Sequence, residues 1–119
     1  LNKKGRFVIV GPVAGNNKEL FNFLSSCGLV IDKDILYSSE SFMVDMLNTF
    51  FDYFQTVRME RMVNQVYWDK PQDFLSYWKN TTFYNQKLSP VVAKEINSHF
   101  DKNNYFINSK SVCLIEGIK

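Results

Sequence analysis

A chain of 119 residues is long enough for one domain but too short for two. Charged residues make up 22% of it and hydrophobic residues 45%, as in ordinary globular proteins, and no apolar run reaches the roughly 20 residues that would span a bilayer. The net charge of +2 comes from 14 basic residues scattered among 12 acidic ones, so neither a nucleic-acid partner nor a membrane partner is expected.

The first predicted element is a strand. Residues 7–10, FVIV, form a continuous apolar run that a Gly-Pro pair ends, which is the pattern of a strand covered on both faces. A loop rich in Gly and Asn follows. Asn16, with Glu19 three residues later, predicts a capping box at the start of a helix, and Gly28 suits the residue just past that helix.

Helical spacing is clearest in the second predicted helix. A wide apolar stripe repeats there at the period of a helix, and Ser38 or Ser39 is the predicted cap at its start. The stripe consists of Phe42, Met43, Met46, Leu47, Phe50, Phe51 and Phe54. We expect the stripe to pack in a core, the alternative being a surface that faces lipid or a partner.

An extended segment, two further helices and a last strand complete the predicted elements. Residues 56–68 look extended, because apolar and charged residues alternate at their start. Pro71 and Pro90 each suit the first turn of a helix. Residues 112–115, VCLI, predict a final buried strand.

The sequence contains no complete catalytic or metal-binding set. His99 is the only histidine, which excludes a multi-histidine metal site, and the two cysteines are far apart in the sequence. Cys27 and Cys113 lie within apolar runs, so we expect small buried thiols in a reducing compartment and hence a cytoplasmic location. Gly11 and Gly15 lack the spacing of a phosphate-binding loop.

Two segments supply the candidate substrate-binding residues. The first lies at the carboxyl end of the first predicted strand, where open α/β sheets bind ligands, and its alternative is a plain tight loop with a helix cap. It comprises Gly11, Pro12, Asn16 and Asn17. The second is an aromatic segment from Tyr77 to Tyr84, whose polar tips suit a small organic ligand and whose alternative is helix-end packing.

Several segments together resemble one enzyme family. GRFVIVGP at residues 5–12 resembles the fifth strand of class I S-adenosylmethionine-dependent methyltransferases, and NNKEL at residues 16–20 resembles the start of the helix that follows it. Residues 74–84 are similar to the region between the last strands in biosynthetic members. Residues 105–116 resemble the strand that closes the family's sheet. None of these segments is a catalytic signature.

The resemblance implies an α/β fold with a small mixed three-stranded sheet and about four helices, the C-terminal half of a Rossmann-like methyltransferase domain. In this family the last strand inserts antiparallel between the fifth and the sixth. That would place residues 112–118 in the centre, with residues 7–10 on one side and residues 57–62 on the other. Residues 1–119 would form a single domain, the C-terminal part of the methyltransferase domain.

The same resemblance implies methyl transfer to a small-molecule acceptor by an intact parent enzyme, with this chain supplying part of the acceptor pocket. The family binds S-adenosylmethionine through a Gly-rich loop after its first strand and an acidic residue at the end of its second, and neither has a counterpart in this sequence. The chain also starts at Leu1 rather than at a methionine. We therefore expect a truncated, inactive chain that does not bind the cofactor alone, and we assign no catalytic residue.

A stand-alone, non-catalytic ligand-binding or interaction module is the alternative to this interpretation. The family resemblance implies that the fourth strand, which would flank one edge of strand 7–10, is absent from this chain. No charge or proline within the strand protects that edge. Such an edge is a template for pairing with another chain. The sequence therefore predicts self-association of the isolated chain through this strand.

Overall fold

The computed structural model describes residues 5–119, and the expectation drawn from Leu1 lies outside them. Over the described range the chain forms four α-helices, one 3₁₀ turn and three strands. In chain order they are β1 (Arg6–Pro12), α1 (Lys18–Ser26), α2 (Lys33–Tyr53), β2 (Thr56–Trp68), α3 (Pro71–Lys79), the 3₁₀ turn (Gln86–Leu88), α4 (Ser89–Lys102) and β3 (Phe106–Ile118).

The three strands form one antiparallel sheet in the order β1-β3-β2, so the last strand lies in the centre, as predicted. β1 pairs with β3 along its whole length, from Arg6 opposite Ile118 to Pro12 opposite Val112. The prediction of a mixed sheet is wrong for these strands. A central strand that runs against both of its neighbours leaves no parallel pair side by side.

The described residues divide into two compact units, between which the chain passes four times. Unit 1 comprises residues 5–16, 33–64 and 110–119, and unit 2 comprises residues 17–32 and 65–109. Because β2 and β3 each contribute residues to both units, neither unit is a continuous piece of sequence. A single domain over residues 1–119 stays a prediction.

In unit 1, α2 lies against the sheet through its predicted apolar stripe. Phe50 of α2 is buried in the same cluster as Ile115 of β3. A Cβ at Gly11 would overlap the ring of Phe42, so only glycine lets β1 and α2 approach this closely. The stripe is one residue narrower than predicted, because Phe51 is 66% exposed. Consecutive residues of a helix point about 100° apart, and Phe50 takes the core direction.

β1 is an edge strand with an exposed face. Phe7 and Ile9 lie on the side of α2, with the Phe7 and Phe50 ring centroids 5.8 Å apart. Val8 and Val10 alternate with them and are 41% and 55% exposed. The prediction of a strand covered on both faces is wrong for the described residues, because α2 packs on one face of β1 while Val8 and Val10 on the other face stay exposed.

A carboxylate connects the three strands within unit 1. Glu116 on the central strand is 9% exposed, and its two oxygens lie 3.1 Å from Arg6 Nε on β1 and 3.7 Å from Arg58 Nε on β2. Both guanidinium groups are exposed, so each ion pair contributes little by itself. Their geometry nevertheless favours β3 between the two outer strands, since only the middle strand has both neighbours within reach.

The helix starts at the two prolines are confirmed, whereas the predicted start of α2 is wrong. α3 begins at Pro71, and Pro90 is the second residue of α4. α2 begins five residues before Ser38, whose hydroxyl donates to the Asp34 carbonyl at 2.8 Å from inside the helix. Serine can bond to the backbone of the preceding turn as well as cap, so it did not mark the boundary. None of the described helices is long and apolar enough to cross a membrane.

Unit 2 has its own core, built from α1, α3, α4, the segment after α1 and the first residue of β3. Its buried members are Leu20, Leu24, Cys27, Leu29, Phe74, Trp78, Val92, Ile96 and Phe106. Gly28, with a φ of +98°, follows α1 as predicted. Cys27 here and Cys113 in unit 1 are free and buried, as expected, and burial raises the pKa of both thiols.

Candidate functional site

The loop after β1 is tied to β3 by hydrogen bonds within unit 1. The Val13 amide donates to the Ser111 carbonyl at 3.0 Å, and the Ser111 amide donates to Asn16 Oδ1 at 3.1 Å. Pro12 is exposed, and Gly15 adopts a φ of +91° that turns the chain. The predicted capping box is wrong, because the side-chain oxygen of Asn16 serves β3 rather than the first turn of α1.

In unit 2, hydrogen bonds of two asparagines, Asn17 and Asn108, take the place of the predicted capping box at the start of α1. Asn17 precedes α1 with a φ of 61°, a left-handed conformation that asparagine tolerates better than most residues. Its Oδ1 accepts a hydrogen bond from Asn108 Nδ2 at 2.9 Å, and Asn108 Oδ1 accepts one from the Leu20 amide at 3.3 Å. Asn108 is fully buried, so this pairing satisfies amide groups that would be costly to leave alone.

Glu19 completes the polar cluster at the start of α1. Its carboxylate accepts two hydrogen bonds from Ser109, one from the amide and one from the hydroxyl, each at 2.7 Å. Burial by itself raises the pKa of Glu19, but the bonds from the Ser109 hydroxyl and amide outweigh burial and lower the pKa below its ordinary value. Sequence reasoning missed Asn108 and Ser109, because their partners lie about 90 residues away along the chain.

The two tyrosines of the aromatic segment have different neighbours. Tyr77 is half-buried, with its ring centroid 5.0 Å from that of Trp68 at the end of β2. Tyr84 lies with its centroid 4.7 Å from that of Trp78. Helix-end packing, the alternative considered for this segment, therefore accounts for part of both rings.

A cavity of about 380 Å³ opens beside Tyr84. It is lined by Leu75, Ser76, Trp78, Lys79, Tyr84 and Ser89. Trp78 is 1% exposed, and its indole Nε1 is buried with no hydrogen-bond partner among the described residues. A buried N–H without an acceptor is uncommon in folded proteins and calls for a specific explanation.

A second cavity of unit 2, of about 490 Å³, lies between α1, the end of α4 and the start of β3. Its polar lining includes Glu19, Asn22, His99 and Asn103. His99 Nε2 lies 2.9 Å from the Tyr105 carbonyl, so one ring nitrogen is already bonded to the backbone. No pattern in the sequence indicated a cavity beside His99.

The predicted substrate-binding residues are divided between the two units. Gly11, Pro12 and Asn16 belong to unit 1, and the others, Asn17, Tyr77 and Tyr84, belong to unit 2. All six stay predicted ligand contacts. Across residues 5–119, no three His, Cys, Asp or Glu side chains are grouped so that they could hold a metal ion.

Comparison with known proteins identifies no relative for this chain. No family model matches the sequence, and no curated protein matches it either.

Proposed function

We propose that this chain is the C-terminal, acceptor-side portion of a class I S-adenosylmethionine-dependent methyltransferase that acts on a small molecule. The observation that carries the proposal is the strand order β1-β3-β2, with the last strand central and antiparallel. The family resemblance of the sequence implies this same order. It is part of the proposal that this sheet belongs to the C-terminal half of a Rossmann-like methyltransferase domain.

The strand order is informative because it differs from the commoner arrangement, in which consecutive strands lie side by side. Strands that follow each other in sequence are neighbours in roughly two-thirds of cases. β1 and β2 follow each other here but are separated by β3, which comes last in the chain. Since β3 runs against both, β1 and β2 point the same way. A late strand inserted against two parallel ones is the arrangement that the family resemblance requires.

S-adenosylmethionine is the cofactor of the intact parent under this proposal, and the described residues do not fit it. Gly11, the glycine best placed for a close backbone approach after β1, is buried against Phe42. The side-chain oxygens of Asn16 and Asn17 accept hydrogen bonds from the chain itself. We therefore assign no cofactor contact to this chain and derive no step through the cofactor.

The proposed contribution of this chain is to position the acceptor. Methyl transfer needs the acceptor atom held in line with the methyl group, and positioning alone supplies a large part of such a rate enhancement. Aromatic walls such as Tyr77 and Tyr84 suit this task, because they give rigid contact area with a polar tip. A strong general base in this chain is not required.

Calorimetry and the coding sequence together test the proposal. Titration of S-adenosylmethionine into the 119-residue chain is expected to give no heat of binding, whereas a longer protein that includes the upstream coding region is expected to bind it. A Gly-rich strand-loop-helix encoded upstream of Leu1 supports the proposal. Micromolar binding to the 119-residue chain, or a start codon next to Leu1, would contradict it.

A stand-alone ligand-binding module is the second candidate, and unit 2 favours it. This unit buries nine hydrophobic residues and carries two cavities of its own. Under either candidate we propose a cytoplasmic location, since both cysteines are free thiols, and no nucleic-acid partner. Retention on DNA or RNA that weakens with salt would contradict the last point.

A further inference from the structure

We propose that the cavity beside Tyr84 binds the charged group of a small organic anion. Its lining contains one charged side chain, Lys79, and no carboxylate. The remaining polar groups, the indole of Trp78 and the hydroxyls of Tyr84, Ser76 and Ser89, can all donate hydrogen bonds. The hydroxyls can also accept, so the preference for an anion rests on Lys79, on the donor-only indole and on the lack of a carboxylate in this lining.

The unpartnered indole N–H strengthens the case. Trp78 belongs to the wall of this cavity, and its Nε1 has no acceptor among residues 5–119. Leaving such a donor buried and unpaired costs about 1–3 kcal/mol in proteins generally. Trp78 is packed in the core of unit 2, and an acceptor oxygen of a ligand that reached its buried Nε1 would remove that cost.

The end of α3 and the start of α4 both border the cavity, so their helix dipoles act there with opposite signs. Ser89 is the first residue of this 14-residue helix, whose first turn carries no acidic side chain and whose preceding residue makes no side-chain cap. The first turn of α4 therefore brings no carboxylate to the cavity, and the Ser89 amide bonds to the Gln86 carbonyl of the preceding 3₁₀ turn. Leu75 and the ring of Tyr84 provide apolar contact for the uncharged part of the ligand.

The binding site does not depend on the proposed function, but identifying its ligand with the methyl acceptor does rest on it. Under that function, the acceptor is a small molecule that carries a carboxylate or a phosphate. The two sources of negative charge share the same recognition chemistry and differ in the number of acceptor oxygens.

Nuclear magnetic resonance of the 119-residue protein tests the site directly. The indole N–H resonance of Trp78 is identified by its through-space contact with the Tyr84 ring, and the protein is titrated with benzoate, phenyl phosphate and the neutral isostere benzamide. We expect benzoate or phenyl phosphate to shift this resonance at millimolar concentration and benzamide to bind roughly tenfold more weakly or not at all, because it lacks the charge.

Matched variants sharpen the test. Lys79→Gln should weaken anion binding by roughly tenfold, as loss of a charged hydrogen-bond partner does, and leave benzamide unaffected. Lys102→Gln, at the other end of α4 and outside the cavity, is the control and should change neither. No shift with either anion, equal binding of benzoate and benzamide, or anion affinity that Lys79→Gln leaves unchanged would each overturn the proposal.

The same variants separate this inference from the proposed function. If the longer protein transfers methyl groups but Lys79→Gln alters neither anion binding nor the KM for any anionic acceptor, the anion site is wrong and the function stands. If benzoate binds as expected and no methyl transfer is found, the site stands and the proposed function fails.

Discussion

The two compact units differ in how completely they cover their apolar side chains. Unit 2 encloses nine buried hydrophobic residues, whereas the buried cluster of unit 1 has four. Of the 16 large hydrophobic side chains that are exposed among the described residues, 11 belong to unit 1. Unit 2 is built around aromatic rings from three helices, and unit 1 is one helix on one face of a sheet.

This contrast indicates where each unit's function is to be sought. A covered core such as that of unit 2 can support cavities with fixed walls, and both polar-lined cavities described above lie there. An incompletely covered sheet such as that of unit 1 offers surface instead. Its groove beside Phe7, Phe50 and Phe54 is lined chiefly by aromatic rings, one of which belongs to β1.

The largest expected effect is a loss of stability when the core of unit 2 is disrupted. Trp78→Ala should lower the free energy of unfolding by about 3–5 kcal/mol, because it removes a fully buried indole and leaves a cavity. Phe51→Ala in unit 1 is the matched control and should cost about 0.5 kcal/mol or less, since that ring is 66% exposed. Urea denaturation measures both. An unchanged midpoint for Trp78→Ala would show that unit 2 lacks the core described for it.

A smaller effect concerns the polar cluster of unit 2. The folded pKa of Glu19 is lowered, so the unfolded state binds more protons and the stabilisation is fully present above the unfolded pKa of about 4.3. It is lost as the pH falls through the folded pKa. Glu19→Gln should therefore destabilise the protein by about 1–2 kcal/mol at pH 7, because a neutral amide accepts from Ser109 more weakly, and by progressively less as the pH falls below the unfolded pKa.

The control for this prediction is Glu60→Gln, which changes an exposed carboxylate on β2. Denaturation midpoints at several pH values between 3 and 7 compare the two variants with the parent sequence. The assignment of the Ser109 contacts would be refuted by a Glu19→Gln variant whose loss of stability is the same at both ends of this range.

The smallest effect is on association rather than on the fold. Because one edge of β1 is unpaired and Val8 and Val10 are exposed beside it, we expect the chain to form a two-fold dimer as its concentration rises. Val10→Lys should shift the equilibrium toward monomer by placing a charge on the strand. Val30→Lys in unit 2, at a side chain 90% exposed, should not. Sedimentation that gives 14.0 kDa at every concentration would contradict the prediction.

Local patterns in the sequence predicted most elements and several details of the fold. Proline marked the first turns of α3 and α4, and Gly28 marked the end of α1, because these residues act through their own backbone preferences. The apolar stripe of α2 followed from helical spacing. The central position of β3 followed from the family resemblance rather than from any local pattern.

Long-range contacts decided the rest. The amides of Asn16 and Asn17 suit a helix cap, a tight loop or a ligand site equally well in sequence, and only the structure shows that their side-chain oxygens accept hydrogen bonds from the distant residues Ser111 and Asn108. The same holds for Glu19, which left its expected capping role for two hydrogen bonds to Ser109. The sequence therefore predicted which segments contribute to the candidate site, but it did not predict which groups in them are hydrogen-bonded to each other.

Residue types and their spacing determined by themselves that this chain forms an α/β structure with buried thiols and an aromatic-rich core. These properties depend on how each residue interacts with its own backbone and with water, which the sequence states directly. Only the tertiary structure decided that β1 is exposed on one face, that the indole N–H of Trp78 has no acceptor among residues 5–119 and that Lys79 is the one charged side chain lining the neighbouring cavity. Those properties depend on which residues, distant in sequence, lie next to each group in the fold. Loop geometry and packing determine these neighbours, and local backbone preferences do not.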